Sequence, residues 1–276
     1  MALAEVYLTN DVYMACLQLA LSTEKEEVIC LLLGETKEDK GKKTVYIYSM
    51  KIPHRLDKKK DRVEISIDQL LATRDYAEKL SQQLKKEVTV IGWFHSHPHI
   101  TVWPSHVDVN TQANYQTMSG SFVGIISSVF SEDKTTKECE VNLTCFQSES
   151  ITDDSGSMRY VRKPIPFFVI ANPVPVTTIS CLKTICDLPN ILHQEEEDNY
   201  RECAAENSDV LCSLHNEMLL TKSLLHITNK ISIPLLKTLE LRERILKQQL
   251  IYLKKFDGKL RSAFGGCQEG SPNSKH

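Results

Sequence analysis

The sequence predicts an α/β domain with a mixed β-sheet between helices, followed by a helical C-terminal region. Three observations carry this. Runs of β-branched and aromatic residues alternate with segments of helical period, without a strict βαβ repeat. The segment Asn172-Pro173-Val174-Pro175 then interrupts regular structure. Beyond it the chain reads as helical, and Leu239, Leu246, Leu253 and Leu260 recur every seven residues.

Taken in order, Ala4 to Leu8 forms a first strand. Thr9 or Asn10 caps a helix to about Leu21, with Val12, Cys16, Leu19 and Ala20 near one face. The apolar run Val28 to Leu33 reads as a buried strand, and Thr44 to Ile52 as another. Lys58 to Arg62 is a basic loop. Ser66 and Gln69 make a capping box that opens a helix to about Lys86, striped by Leu70, Thr73, Ala77, Leu80 and Leu84. Val88 to Phe94 is a strand running into His95, and Ser105 to about Met118 is helical. Phe122 to Phe130 and Glu138 to Gln147 are strands joined by the charged turn Ser131-Glu132-Asp133-Lys134. Ser148 to Gly156 is polar and reads as a flexible loop, and strand-like residues resume from Ile165 to Ile170. These elements place the first domain at 1–175.

The second region, 176–264, holds a helix from Thr178 to Cys186, an interruption at Pro189 and a helix from Ile191 to about Glu206. Between Ile233 and Leu260, Leu236 and Leu250 keep the companion register of the heptad, but Glu243 and Asp257 spoil it. Periodicity fits equally a helix packed within its own chain and a coiled coil with a partner. Residues 265–276 are small and polar and read as a disordered tail.

Composition bounds the function. The 276 residues are 41% hydrophobic, enough for a sizeable core, and the net charge of −3 gives no general reason to bind nucleic acid. No stretch approaches the roughly 18 apolar residues of a membrane span, and the N-terminus lacks the pattern of a secretory signal. Nine irregularly spaced cysteines read as reduced thiols of the cytoplasm or nucleus. Asn142-Leu143-Thr144 is then a chance glycosylation match.

The densest chemistry lies in Gly92-Trp93-Phe94-His95-Ser96-His97-Pro98 and Ser105-His106-Val107-Asp108. Four of the nine histidines fall between 95 and 106. Residues i and i+2 of a strand share a face, so His95 and His97 aim at one point and Ser96 points away. Ser105 as N-cap puts Asp108 in the first helical turn, from where its carboxylate can supply a third ligand. Ser-x-x-Asp is also an ordinary helix-start signal. Two imidazoles, one carboxylate and an open fourth position are the donor set of a catalytic zinc site. His99 and His106 read as loop residues that bind no metal. Such a site needs a general base, and Glu27, at the mouth of the Val28–Leu33 strand, is the candidate. Alone, it would be one more solvated charge in Glu24-Lys25-Glu26-Glu27.

Glu27-Val28-Ile29-Cys30-Leu31-Leu32-Leu33-Gly34, then His95-Ser96-His97-Pro98, then Ser105 and Asp108 resemble the JAMM (MPN+) signature of metalloproteases that remove ubiquitin or its relatives. The stretch from Trp93 to Val109, with Lys60 to Ser66, Thr144 to Ser148, Leu188 to Leu192 and Gln194 to Glu196, is similar to the BRCC subfamily, the deubiquitinase subunit of the BRISC and BRCA1-A assemblies. The resemblance implies an MPN fold, a curved mixed sheet flanked by helices. It implies His95, His97 and Asp108 as ligands of one Zn2+, Glu27 as general base, and Ser105 as the group that steadies the water and the oxyanion. It implies hydrolysis of isopeptide bonds in polyubiquitin, with lysine-63 linkages preferred. It further implies a catalytically silent, Abraxas-like MPN partner, contacted through the MPN domain and a C-terminal helical bundle or coiled coil. Cys30 departs from the family, which more often has glycine there, and asks for more room beside the strand.

Two other classes are weighed. A non-catalytic MPN scaffold need not keep all five groups, and this chain keeps Glu27, His95, His97, Ser105 and Asp108. A zinc deaminase would carry His-x-Glu with Cys-x-x-Cys, which is absent, and a nuclease would show a basic stripe longer than Lys58 to Arg62.

Overall fold

The structure is a computed structural model that describes residues 3–55, 66–132, 137–152, 157–172, 175–206 and 209–265. The chain divides into two units, Met1–Ser223 and Leu224–His276. In the first, strands β1 (Leu3–Thr9), β2 (Ile29–Asp39), β3 (Lys42–Lys51), β4 (Thr89–Pro98), β5 (Val123–Glu132), β6 (Cys139–Thr152), β7 (Met158–Pro164) and β8 (Phe167–Ile170) form one mixed sheet, ordered β7-β6-β5-β4-β2-β3-β1-β8. β1 runs parallel to β3 and β8, and β4 parallel to β5; the other pairs are antiparallel. The sheet curls between flanking helices, as the MPN resemblance implies.

β2 runs beyond the expected Leu33 to Asp39. Its outer residues are charged and break the apolar pattern, but their ladder to β3 continues to Asp39 opposite Lys42. Lys40 and Gly41, at φ 49° and 78°, close the hairpin with two left-handed residues. At Gly34 the register slips, and the backbone approaches Tyr46 so closely that a Cβ would sit 1.8 Å from its carbonyl oxygen.

Helices α1 (Asn10–Ala20), α2 (Ile67–Leu84) and α3 (His106–Met118) match the expected segments, and Ser66 and Gln69 form the expected capping box. Thr9 sits at the α1 N-cap position but makes no side-chain cap bond there. α1 buries Val12, Cys16, Leu19 and Ala20. Cys30 finds its room beside Cys16 of α1, fully buried, and burial together with that neighbour holds its thiol well above the ordinary range.

Two expectations are corrected. Ser148 to Thr152, read as the start of a flexible loop, is the end of β6 and pairs with β7. Its polar sequence is tolerated because this hairpin lies at the sheet edge, where the ladder satisfies the backbone. Residues 153–156 lie outside the described residues, as do the basic loop Lys58 to Arg62, the tail beyond Gly265, and residues 133–136 and 173–174. Pro189 does not interrupt: α4 (Pro175–Glu206) passes through it. Leu188 is buried, Thr184 donates to the Met50 carbonyl at 3.2 Å, and Glu195 pairs with Arg55 further on. Packing on both sides of the proline outweighs the lost hydrogen bond. α4 also lies against α1 and β3.

α5 (Val210–His226) has no buried residue. The second unit contains its last turn, a π-helical turn Ile227–Ser232 and α6 (Ile233–Gly265). The π turn precedes Pro234, whose ring would clash with the preceding turn of an α-helix; Ile233 N–H instead bonds the Thr228 carbonyl. Within the second unit, Leu236, Leu246, Leu250, Leu253 and Leu260 of α6 are all exposed. Among the described residues no helix is long and apolar enough to cross a membrane.

Candidate metal centre

The strand β4 outruns its neighbour β2 at one end, and the site forms there. Ile29 opens β2 opposite His95. Continuing that register places Val28 opposite Ser96 and Glu27 opposite His97. Val28 and Ser96 are bonded in this way: Ser96 N–H donates to the Val28 carbonyl at 3.0 Å, and Val28 N–H donates to Ser96 Oγ at 3.0 Å. Ser96 thus points away from the histidines, as expected, and ties the Glu27 segment to their strand. Glu27 itself stands in irregular chain before β2 rather than in the strand. Its Oε1 lies 4.0 Å from His97 Nε2.

His95 and His97 are buried and turn Nε2 to a common point, 3.1 Å apart. The Trp93 ring stacks on His95 at 4.4 Å between centroids, and Trp93 Nε1 donates to Gln112 Oε1 of α3 at 2.8 Å. His97 Nδ1 is 2.7 Å from the Thr101 carbonyl oxygen. That bond keeps the proton on Nδ1 and leaves the Nε2 lone pair facing the site.

Asp108 arrives from the first turn of α3. Ser105 N–H donates to Asp108 Oδ2 at 2.6 Å and Asp108 N–H donates to Ser105 Oγ at 3.2 Å, a reciprocal capping box. The carboxylate oxygens stand 3.4 Å from His95 Nε2 and 3.6 Å from His97 Nε2. One ligand atom from each of His95, His97 and Asp108 lies within 4.8 Å of the others. Tetrahedral ligands at zinc distances of about 2.1 Å stand about 3.4 Å apart, so the observed spacings fit such an ion.

The electrostatics suit a cation. Burial lowers the pKa of His95 against the opposing pull of Asp108, which favours the neutral, ligating imidazole. For His97, burial also lowers it, but Asp108, the Thr101 carbonyl and Glu27 together raise it. Burial pushes Asp108 up, and the hydrogen bonds from His95, His97 and Ser105 overcome it, holding the carboxylate far below its usual range. This is a preformed negative pocket beside two imidazoles.

The expected residues Glu27, His95, His97, Ser105 and Asp108 are therefore brought to one place. His99 and His106 are exposed and stand apart from the cluster. Sequence reasoning missed Arg55, which reaches the Glu27 carbonyl, and Thr101, which holds His97. A groove of about 660 Å³ runs beside the site, lined by Thr101, Trp103, Ser128, Asn142 and Leu143 among others.

A family model described as JAB1/Mov34/MPN/PAD-1 ubiquitin protease matches residues 2–121, and one described as BRCC36 C-terminal helical domain matches 181–260. A Lys-63-specific deubiquitinase BRCC36 of Camponotus floridanus is 48% identical over 254 residues, covering 92% of this chain and 94% of that protein. The protein of that name in Xenopus tropicalis is 45% identical, covering 87% and 89%. In Homo sapiens the figures are 40%, 90% and 92%.

Proposed function

The chain belongs to the JAB1/Mov34/MPN/PAD-1 ubiquitin proteases, in their BRCC36 branch, and we propose that it hydrolyses lysine-63-linked polyubiquitin with one zinc ion held by His95, His97 and Asp108. It is a metal-dependent deubiquitinase rather than a silent scaffold. The observation that carries this reading is the carboxylate of Glu27 standing opposite His97, beside the three clustered donors.

When bound, zinc supplies acidification of a water to a pKa of about 7 and polarisation of the scissile carbonyl. Glu27 would serve as the base of that chemistry, accepting a proton at its carboxylate and returning it to the departing lysine amine. Ser105 Oγ accepts the Asp108 N–H and keeps its own hydrogen to donate to the oxyanion. Asp108 and the Trp93-stacked, Thr101-anchored imidazoles hold their positions throughout, so no rearrangement is needed as charge develops. No acyl-enzyme is required. The buried thiols of Cys30 and Cys181, the latter pushed up to about 12 by burial, are no nucleophiles.

The exposed leucines of α6 support an Abraxas-like, catalytically silent MPN partner that covers them and contacts the MPN domain. The free thiols fit a chain of cytoplasm and nucleus. The test is cleavage of lysine-63-linked chains by the pure chain and by the chain with such a partner. Cleavage that requires the partner and vanishes with Glu27→Gln is expected. Zinc-loaded protein that cleaves no ubiquitin linkage in either state would sink the reading.

A further inference from the structure

Glu27 lacks the support of a strand ladder, yet its backbone is gripped from two sides. The first grip is the pair of bonds between Val28 and Ser96. The second is Arg55, in the segment after β3. Its Nη1 donates to the Glu27 carbonyl at 3.3 Å and to Glu26 Oε2 at 3.1 Å. The same guanidinium donates to Glu195 Oε2 of α4 through Nε at 3.0 Å and Nη2 at 2.7 Å, and Arg55 N–H donates to Glu195 Oε1 at 2.9 Å.

This pair is deeply withdrawn from water. The side chains of Arg55 and Glu195 are 9% and 2% exposed. Val28, Ile29, Leu188, Ile191 and Leu192 pack around them and leave a void of about 10 Å³, at the lower limit for one water. A desolvated ion pair is a poor way merely to fasten a helix to a sheet, since apolar residues of the same volume do that as well or better. Apolar residues cannot hold a peptide carbonyl and the adjacent carboxylate in a fixed place.

We propose that Arg55 and Glu195 are positioning residues for the base. Glu195 orients the guanidinium, the guanidinium clamps the Glu27 carbonyl and the Glu26 carboxylate, and the Glu27 carboxylate thereby stays opposite His97. The proposal rests on Glu27 being the base. It makes the placement of the base depend on α4 beyond Pro189, so any contact that shifts that part of the helix changes the rate.

The test exchanges the pair for apolar residues, Arg55→Met with Glu195→Leu, in the full-length, zinc-loaded chain and in the assembly that turns over polyubiquitin. Zinc content and melting temperature are expected to match the parent. Because a misplacement of 1 Å costs about a hundredfold, kcat is expected to fall by about that factor, with KM within about twofold. Amide exchange at Glu27 and Val28 is expected to quicken while α4 stays protected. In a Glu27→Gln background the pair is expected to add no further loss in single turnover, because groups acting as a unit are not additive. An unchanged kcat, or a loss that multiplies with that of Glu27→Gln, overturns the proposal. If the pair variant melts early, Arg55→Lys decides: it keeps a cation on Glu195 and gives up the bond to the Glu27 carbonyl, with an expected loss of about tenfold in kcat and the same two overturning results. Full activity of Glu27→Gln alone instead removes the base assignment, which separates the two failures.

Discussion

Around the metal centre Ile29, Trp93, Phe94 and Ile126 are each 3% exposed or less, whereas on α6 Leu236, Leu246, Leu250 and Leu253 are each more than half exposed. At the centre, every group is held by at least two elements of its own chain. Asp108 is fixed by the cap of α3 and by both histidines of β4, His97 by β4 and the Thr101 carbonyl, and His95 by β4 and by Asp108 of α3. Along α6, an apolar row spaced by sevens is exposed within its own unit. The difference teaches where specification ends within one chain. The geometry of the candidate site is written into contacts within the first unit, while α6 carries exposed leucines.

The sharpest way to break this comparison is at the metal. His97→Ala is expected to abolish both zinc binding and isopeptide cleavage, read by metal content and turnover, and full occupancy would remove it from the ligand set. Chelation of the parent followed by zinc addition is expected to remove and restore activity. Next in size, Glu27→Gln is expected to keep zinc and lose about 10² to 10⁴ in kcat, the range of a lost general base. A purely structural challenge comes third. Ile126→Ala, beneath the site, is expected to cost about 2–5 kcal/mol in denaturant unfolding, as cavities in tight cores do.

Smaller effects sharpen the contrast. Ser105→Ala removes an N-cap together with the proposed oxyanion donor, with an expected loss of about 1 kcal/mol in stability and about a hundredfold in kcat. Leu246→Glu with Leu253→Glu is expected to leave the stability of the isolated chain within about 0.5 kcal/mol per site while abolishing co-purification with the partner. A large destabilisation of the isolated chain would mean that α6 packs on its own chain after all, and the comparison would fail.

Much of the first region was legible because its signals are local. The alternation that aims His95 and His97 at one point spans three residues, and the Ser105–Asp108 box spans four. α2 was readable from its cap and its stripe for the same reason. What escaped was either polar or distant. The outer part of β6 and all of β7 carry no apolar alternation, being held by a ladder at the sheet edge. The π turn follows from a proline that lies after it. Pro189 reads as a stop until Leu188, Thr184 and Glu195 are seen to anchor α4 on both sides.

The amino-acid sequence by itself determined which groups could bind a metal and which local elements would present them, because strand alternation and helix capping act over a few residues. Only the tertiary structure decided that Glu27 faces His97, that α4 continues through Pro189 and that Arg55 joins Glu27 to Glu195. Those outcomes depend on strand register and on a buried ion pair between residues 140 positions apart, and no short-range periodicity encodes which distant partner will share a dry interior with a charge.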